Sequence, residues 1–147
     1  MSWPSKRLLE VLIIFCFLAA HARADTLKDP EGARALAERI MTKVGAGDTE
    51  GGMQLMRPFL IVPPAEFDVM IEQMKMQQPV FTQRFGKSIG HEFIREDRAG
   101  NNLLRIVEIH RFEKHVMRWT FYFYRGSEGW VLNTFLTDDG MTHLFGN

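Results

Sequence analysis

The sequence predicts an α+β domain in which N-terminal helices pack on a curved antiparallel sheet of about four strands. Apolar residues recur at helical spacing from Ala33 to Phe85, and beyond Gly86 the pattern changes to alternation. Short polar and glycine-rich links separate the alternating runs, so neighbouring strands are antiparallel. Helices gathered first and strands second pack as one helical layer on one sheet face.

Before the first helix, residues 1–24 read as a signal peptide: Lys6 and Arg7 precede an apolar run from Val11 to Ala20, and Ala22-Arg23-Ala24 supplies a small-x-small cleavage site. Cleavage is expected after Ala24, giving a periplasmic or secreted protein. A retained anchor is the competing reading, but the run is short of the roughly 20 apolar residues that a hydrocarbon core requires. Ile14 and Phe17 around Cys16 do not form a lipoprotein site.

Of 147 residues, 25–147 remain as a single domain, long enough to bury a core. Losing Lys6, Arg7 and Arg23 lowers the basic count from 18 to 15, and losing Glu10 lowers the acidic count from 18 to 17. A slightly acidic balance excludes nucleic acid as an expected partner. The sole cysteine leaves with the leader, which removes thiol catalysis, disulfides and cysteine metal sites.

Asp29-Pro30-Glu31 is a helix start: a side-chain cap, proline in the first turn and an acid at the positive end of the helix dipole. Ala33, Leu36, Ala37, Ile40 and Val44 make its apolar stripe, and Lys43 and Gly45 close it. Gly47-Asp48-Thr49 turns the chain into a short second helix with Met53 and Met56 inward. Pro63-Pro64 starts a third, whose face is Phe67, Met70, Ile71, Met74, Gln78, Phe81 and Phe85; Pro79 predicts a kink or a break and restart.

Strands are expected at 88–97, 102–112, 115–125 and 130–137, joined at Arg98-Ala99-Gly100-Asn101, at Glu113-Lys114 and at Gly126-Ser127-Glu128-Gly129. Gly47-Asp48, Phe85-Gly86, and Trp119-x-Phe121-x-Phe123-Tyr124 followed by Gly129-Trp130-x-Leu132-x-x-Phe135 resemble the nuclear-transport-factor-2-like superfamily with its cystatin-like cone. The resemblance spans nearly all of residues 25–147 and implies a cone-shaped cavity. It further implies dimers through the open sheet face, and either an isomerase or dehydratase chemistry or a non-catalytic binding role.

Even turns fix which side chains share a face, because strand side chains alternate. Counting from Glu113-Lys114 sets Glu108 opposite Trp119, Ile106 opposite Phe121 and Leu104 opposite Phe123. The same count across Ser127-Glu128 adds Leu132, Thr134 and Leu136, and across Ala99-Gly100 it adds Ile89, His91 and Phe93. Phe93, Ile106, Trp119, Phe121 and Leu132 are therefore the expected ligand-contacting wall for a small hydrophobic ligand. His91, Glu108 and His110 are ionisable groups on that apolar side, with His91 expected directly opposite Glu108. They are the candidate acid and base, since burial raises a carboxyl and a carboxylate raises an imidazole. The plainer reading is a water-satisfied polar pair at the mouth of the sheet.

Met53, Met56, Met70, Met74 and Met76 raise copper(I) as a thioether-bound ion, but without an adjacent histidine they read as adaptable core filler. His91, His110, His115 and His143 lack zinc-site spacing, so neither a metal nor a cofactor is expected. Arg105, Arg118, Arg125, Tyr122 and Tyr124 make the other sheet face a candidate surface for a homodimer or a protein partner. The expected function is an exported, non-enzymatic binding module. The alternative is an isomerase-like or dehydratase-like enzyme using Glu108 and His91.

Overall fold

A computed structural model describes residues 23–145, so residues 1–22 of the expected leader 1–24 lie outside the described residues. Helices α1 (Pro30–Gly45), α2 (Thr49–Gln54) and α3 (Pro64–Phe85) precede strands β1 (Ser88–Ala99), β2 (Leu103–Phe112), β3 (Val116–Arg125) and β4 (Trp130–Asp138). The strands form one antiparallel sheet in the order β1-β2-β3-β4. Among the described residues, no helix is long and apolar enough to cross a membrane.

Helix α1 begins where its cap chemistry dictates: the Asp29 carboxylate accepts from the Gly32 N–H at 2.8 Å. Its Ala33, Leu36, Ala37, Ile40, Met41 and Val44 are fully buried against β1, β2 and β4. Asp48 caps α2 in the same way through Gly51. Helix α3 runs unbroken through Pro79, so the expected break and restart does not occur. Its buried side chains lie towards its two ends, Phe67 and Ile71 in the main core and Phe85 with Phe112 and Met117 in a second cluster.

The β2–β3 hairpin follows the expected register throughout, with Glu108 opposite Trp119, Ile106 opposite Phe121 and Leu104 opposite Phe123. The Phe112 N–H donates to the His115 carbonyl at 2.9 Å, leaving Glu113-Lys114 as the two-residue tip. The β1–β2 register corrects the count. Its turn is the three residues Gly100-Asn101-Asn102, with Ala99 opposite Leu103, and Gly100 takes φ 63°. An odd turn reverses side-chain parity, and a bulge between Phe93 and Arg95 reverses it again.

Consequently Glu96 and Arg98 face the helices, and Glu96 pairs with Arg34 of α1. Phe93, not His91, stands opposite Glu108, while His91 stands opposite His110. A second bulge between Ser88 and Gly90 leaves Ile89 half exposed rather than inward. On β4 a shift between Tyr122 and Phe123 turns Phe135 inward, so Thr134 and Leu136 leave the face the even count assigned them.

The β4 edge is not open. Leu27 exchanges two backbone hydrogen bonds with Trp130, at 2.7 and 2.8 Å. Further along, Leu132 donates to Phe59 and accepts from Ile61. Covering an edge strand blocks its pairing with another chain. Gly129, at φ 139°, permits the approach of Leu27, whose carbonyl would stand 2.7 Å from a Cβ there.

The face away from the helices is less solvated than its arginines suggest. Val107, Ile109 and Thr120 are buried there. A 3₁₀ turn, Met141–Leu144, lies against β3, and its Leu144 carbonyl accepts from Arg95 at 3.2 Å. Arg118 holds the approach to that turn through Asp138 at 2.7 Å.

Candidate functional site

Between the two anchored ends of α3 the helix stands off the sheet, and the gap is a cavity of about 290 Å³. Met74, Gln78 and Phe81 of α3 form one wall, and His110, Phe112, Met117 and Trp119 of β2 and β3 form the other. Thr49 at the start of α2 and Ser88 at the start of β1 complete the rim with Ala46, Gly47, Thr82 and Lys87. This volume lies near the lower end of small-molecule sites.

Ser88 Oγ lies 2.7 Å from both the Gly45 carbonyl and His110 Nε2. A hydroxyl has one hydrogen. Donating it to Gly45 leaves Ser88 Oγ to accept from His110 Nε2–H, which is the neutral tautomer with its lone pair on Nδ1. Burial, helped by His91 nearby, pushes His110 down to about 4, so the ring is neutral at pH 7. Trp119 Nε1 is a buried nitrogen with no partner among the described residues.

A second polar group lies between α1 and the sheet. His91 Nδ1 is 3.1 Å from Glu108 Oε2, and His91 Nε2 is 3.6 Å from Glu38 Oε1. Glu108 is 1 % exposed, while Glu38 is largely in solvent. Burial raises the Glu108 carboxyl above its ordinary range; the His91 hydrogen bond opposes this, and the Glu38 charge adds to it. Gly45 lets α1 lie directly on this strand, since a Cβ there would meet the Gly90 carbonyl carbon at 2.8 Å and the His91 nitrogen at 2.9 Å.

The structure thus separates the three ionisable candidates. His110 lines the cavity, whereas His91 and Glu108 contact each other outside its lining. Of the expected wall, Trp119 lines the cavity, and Ile106, Phe121 and Leu132 are fully buried packing in the core. Phe93 is half exposed at the β1 edge with the Arg34 guanidinium 5.6 Å above its ring. Sequence reasoning missed Ser88, Thr49 and Glu38. Gln78, a polar residue within an otherwise apolar helix face, was the available sign that this face does not meet a dry core throughout. Glu38 carried no such sign, because it sits on the exposed side of an ordinary amphipathic helix.

Neither a family model nor a curated protein nor a solved structure matches this chain.

Proposed function

We propose that this chain is an exported, non-enzymatic binding module that holds a small amphipathic molecule between α3 and the sheet. The observation that carries the reading is the cavity of about 290 Å³, walled by Met74, Phe81 and Trp119 and offered polar contact by Gln78, Ser88 and His110. Rings and a thioether shed water from an apolar body, and a few fixed polar groups set its orientation. Membership of the nuclear-transport-factor-2-like superfamily belongs to the same proposal, supported by helices-first order on one face of a four-stranded antiparallel sheet. Export is supported by the leader pattern. Asp25 N donates to the Pro58 carbonyl at 2.6 Å, an interaction that a new α-amino group can keep.

Acid–base catalysis is the second reading, favoured by one contact, His91 to Glu108 at 3.1 Å. It requires a substrate on the Glu38 side rather than in the cavity, and ranks below binding for that reason. Homodimerisation through the outer sheet face rests on Leu103, Tyr124 and Leu136, which are about half exposed around one groove.

Native mass spectrometry of residues 25–147, purified from the host's export compartment, tests the binding reading together with the dimer. A co-purifying small molecule whose retention is lost in Met74→Trp supports the cavity. Bare protein that also takes up no member of a set of small amphipathic probes overturns it.

A further inference from the structure

The geometry points to a divalent transition-metal site formed by Glu38, His91 and Glu108, with zinc as the best-fitting ion. One ligand atom from each of the three residues lies within 4.8 Å of the other two. The set is drawn from α1, β1 and β2, so the tertiary fold assembles it and no sequence spacing announces it. This inference does not rest on the cavity, whose lining includes none of the three.

Three features distinguish the cluster from a chance surface group of acids. Glu108 is 1 % exposed, and among the described residues its one side-chain partner is His91. A buried carboxylate is ordinarily balanced by a full countercharge and several hydrogen bonds. Here one imidazole is shared between two carboxylates, and neither glutamate has an arginine or lysine partner among the described ion pairs. A 2+ ion would neutralise both.

The spacing also suits such an ion. Zinc holds imidazole nitrogen and carboxylate oxygen at about 2.0–2.2 Å, which places tetrahedral ligands about 3.3 Å apart. His91 Nδ1 and Glu108 Oε2 stand 3.1 Å apart already. Gly45, having no Cβ, lets α1 lie directly against the Gly90 and His91 backbone. Glu38 Oε1 stands 3.6 Å from the other ring nitrogen, Nε2, and its side chain is 57 % exposed, so joining an ion on Nδ1 requires that solvent-facing side chain to turn past the ring edge. One nitrogen and two carboxylate oxygens suit zinc better than magnesium or calcium, which take all-oxygen shells. The fourth position, on the Glu38 side, faces solvent and would take water.

Isothermal titration calorimetry tests this on residues 25–147 stripped with chelator, using zinc chloride alone and magnesium chloride as the comparison. The expected result is one equivalent of zinc, bound at least tenfold more tightly than magnesium. Glu38→Gln is expected to weaken zinc at least tenfold while leaving thermal unfolding of the metal-free protein unchanged, since its side chain is in solvent. His91→Ala and Glu108→Gln are expected to abolish binding, with far-UV circular dichroism reporting that each is folded. Absence of saturable zinc binding by the unsubstituted protein overturns the site. So does zinc binding that survives Glu38→Gln and Glu108→Gln but is lost in His115→Ala with His143→Ala.

Discussion

His91 and Glu108 touch across the sheet without being partners in its ladder. Phe93 is the residue opposite Glu108, yet His91 Nδ1 reaches Glu108 Oε2 at 3.1 Å along the diagonal. The diagonal matters because it carries Glu108 past an edge phenylalanine to a polar partner, and so lets a buried carboxyl persist on an apolar face.

Glu108→Gln is expected to fold with a stability within about 1 kcal/mol of the parent at neutral pH, because the amide oxygen can still accept from His91 and no buried charge remains. The pH dependence separates the two. A carboxyl that titrates above its unfolded value in the folded state destabilises as pH rises through that window, since the folded state is then the better proton binder. The parent should therefore lose stability from the ordinary carboxylate range upward, and Glu108→Gln should not. Urea unfolding from pH 4 to 8 reads this directly, and parallel pH profiles would contradict it.

His110 works in the opposite direction. Its folded value of about 4 lies below the ordinary 6.5, so on acidification the unfolded chain takes up a proton first. The neutral ring contributes fully above pH 6.5, and that contribution fades between 6.5 and 4, amounting to about 3 kcal/mol by linkage. His110→Gln should flatten this acid limb. An unchanged limb in chemical unfolding would remove burial of neutral His110 as its cause.

Met74→Trp places a larger ring where α3 stands off the sheet. Overfilling a packed core costs about 1–3 kcal/mol, whereas a ring entering an existing void costs less than about 1 kcal/mol. The variant should melt close to the parent and lose uptake of small amphipathic probes. A loss of several kcal/mol would mean that the gap closes in solution.

Gly45→Ala should destabilise by about 1–3 kcal/mol, since the new methyl meets the backbone of Gly90 and His91 rather than a movable side chain. Gly45 is otherwise an ordinary helical position where alanine should help. A stability gain on thermal unfolding would show that α1 can shift off β1 at little cost.

Asp29→Ala should cost about 1 kcal/mol through loss of the α1 cap, whose acceptor meets the Gly32 N–H at 2.8 Å. Chemical denaturation measures it, and Asp29→Asn should recover most of the loss.

Legibility varied with the range of the interactions involved. Asp29, Pro30 and the Ala33 to Val44 stripe are local signals, and α1 forms where they place it. Glu113-Lys114 is an even two-residue tip, so every pair of β2 with β3 followed from parity alone. The β1 strand did not. Gly100-Asn101-Asn102 and the bulge before Arg95 each reverse parity, and together they return His91 to the inner face that a simple even turn had assigned it. The inward placement of His91 was thus reached through two cancelling departures, and Phe93 opposite Glu108 betrays them.

By itself the sequence determined the order of the elements, the stripe by which α1 packs, and the inward facing of Trp119, Phe121 and Phe123, because these follow from periodicities of 3.6 and 2. Only the tertiary structure decided that α3 leaves a void beside His110, that Phe93 is left half exposed beneath Arg34 at the sheet edge, and that Glu38 meets His91 and Glu108. Those outcomes depend on bulges and on the stand-off between layers, and neither is encoded in any single residue's local preference. They arise where side-chain volumes from separate segments must share one space.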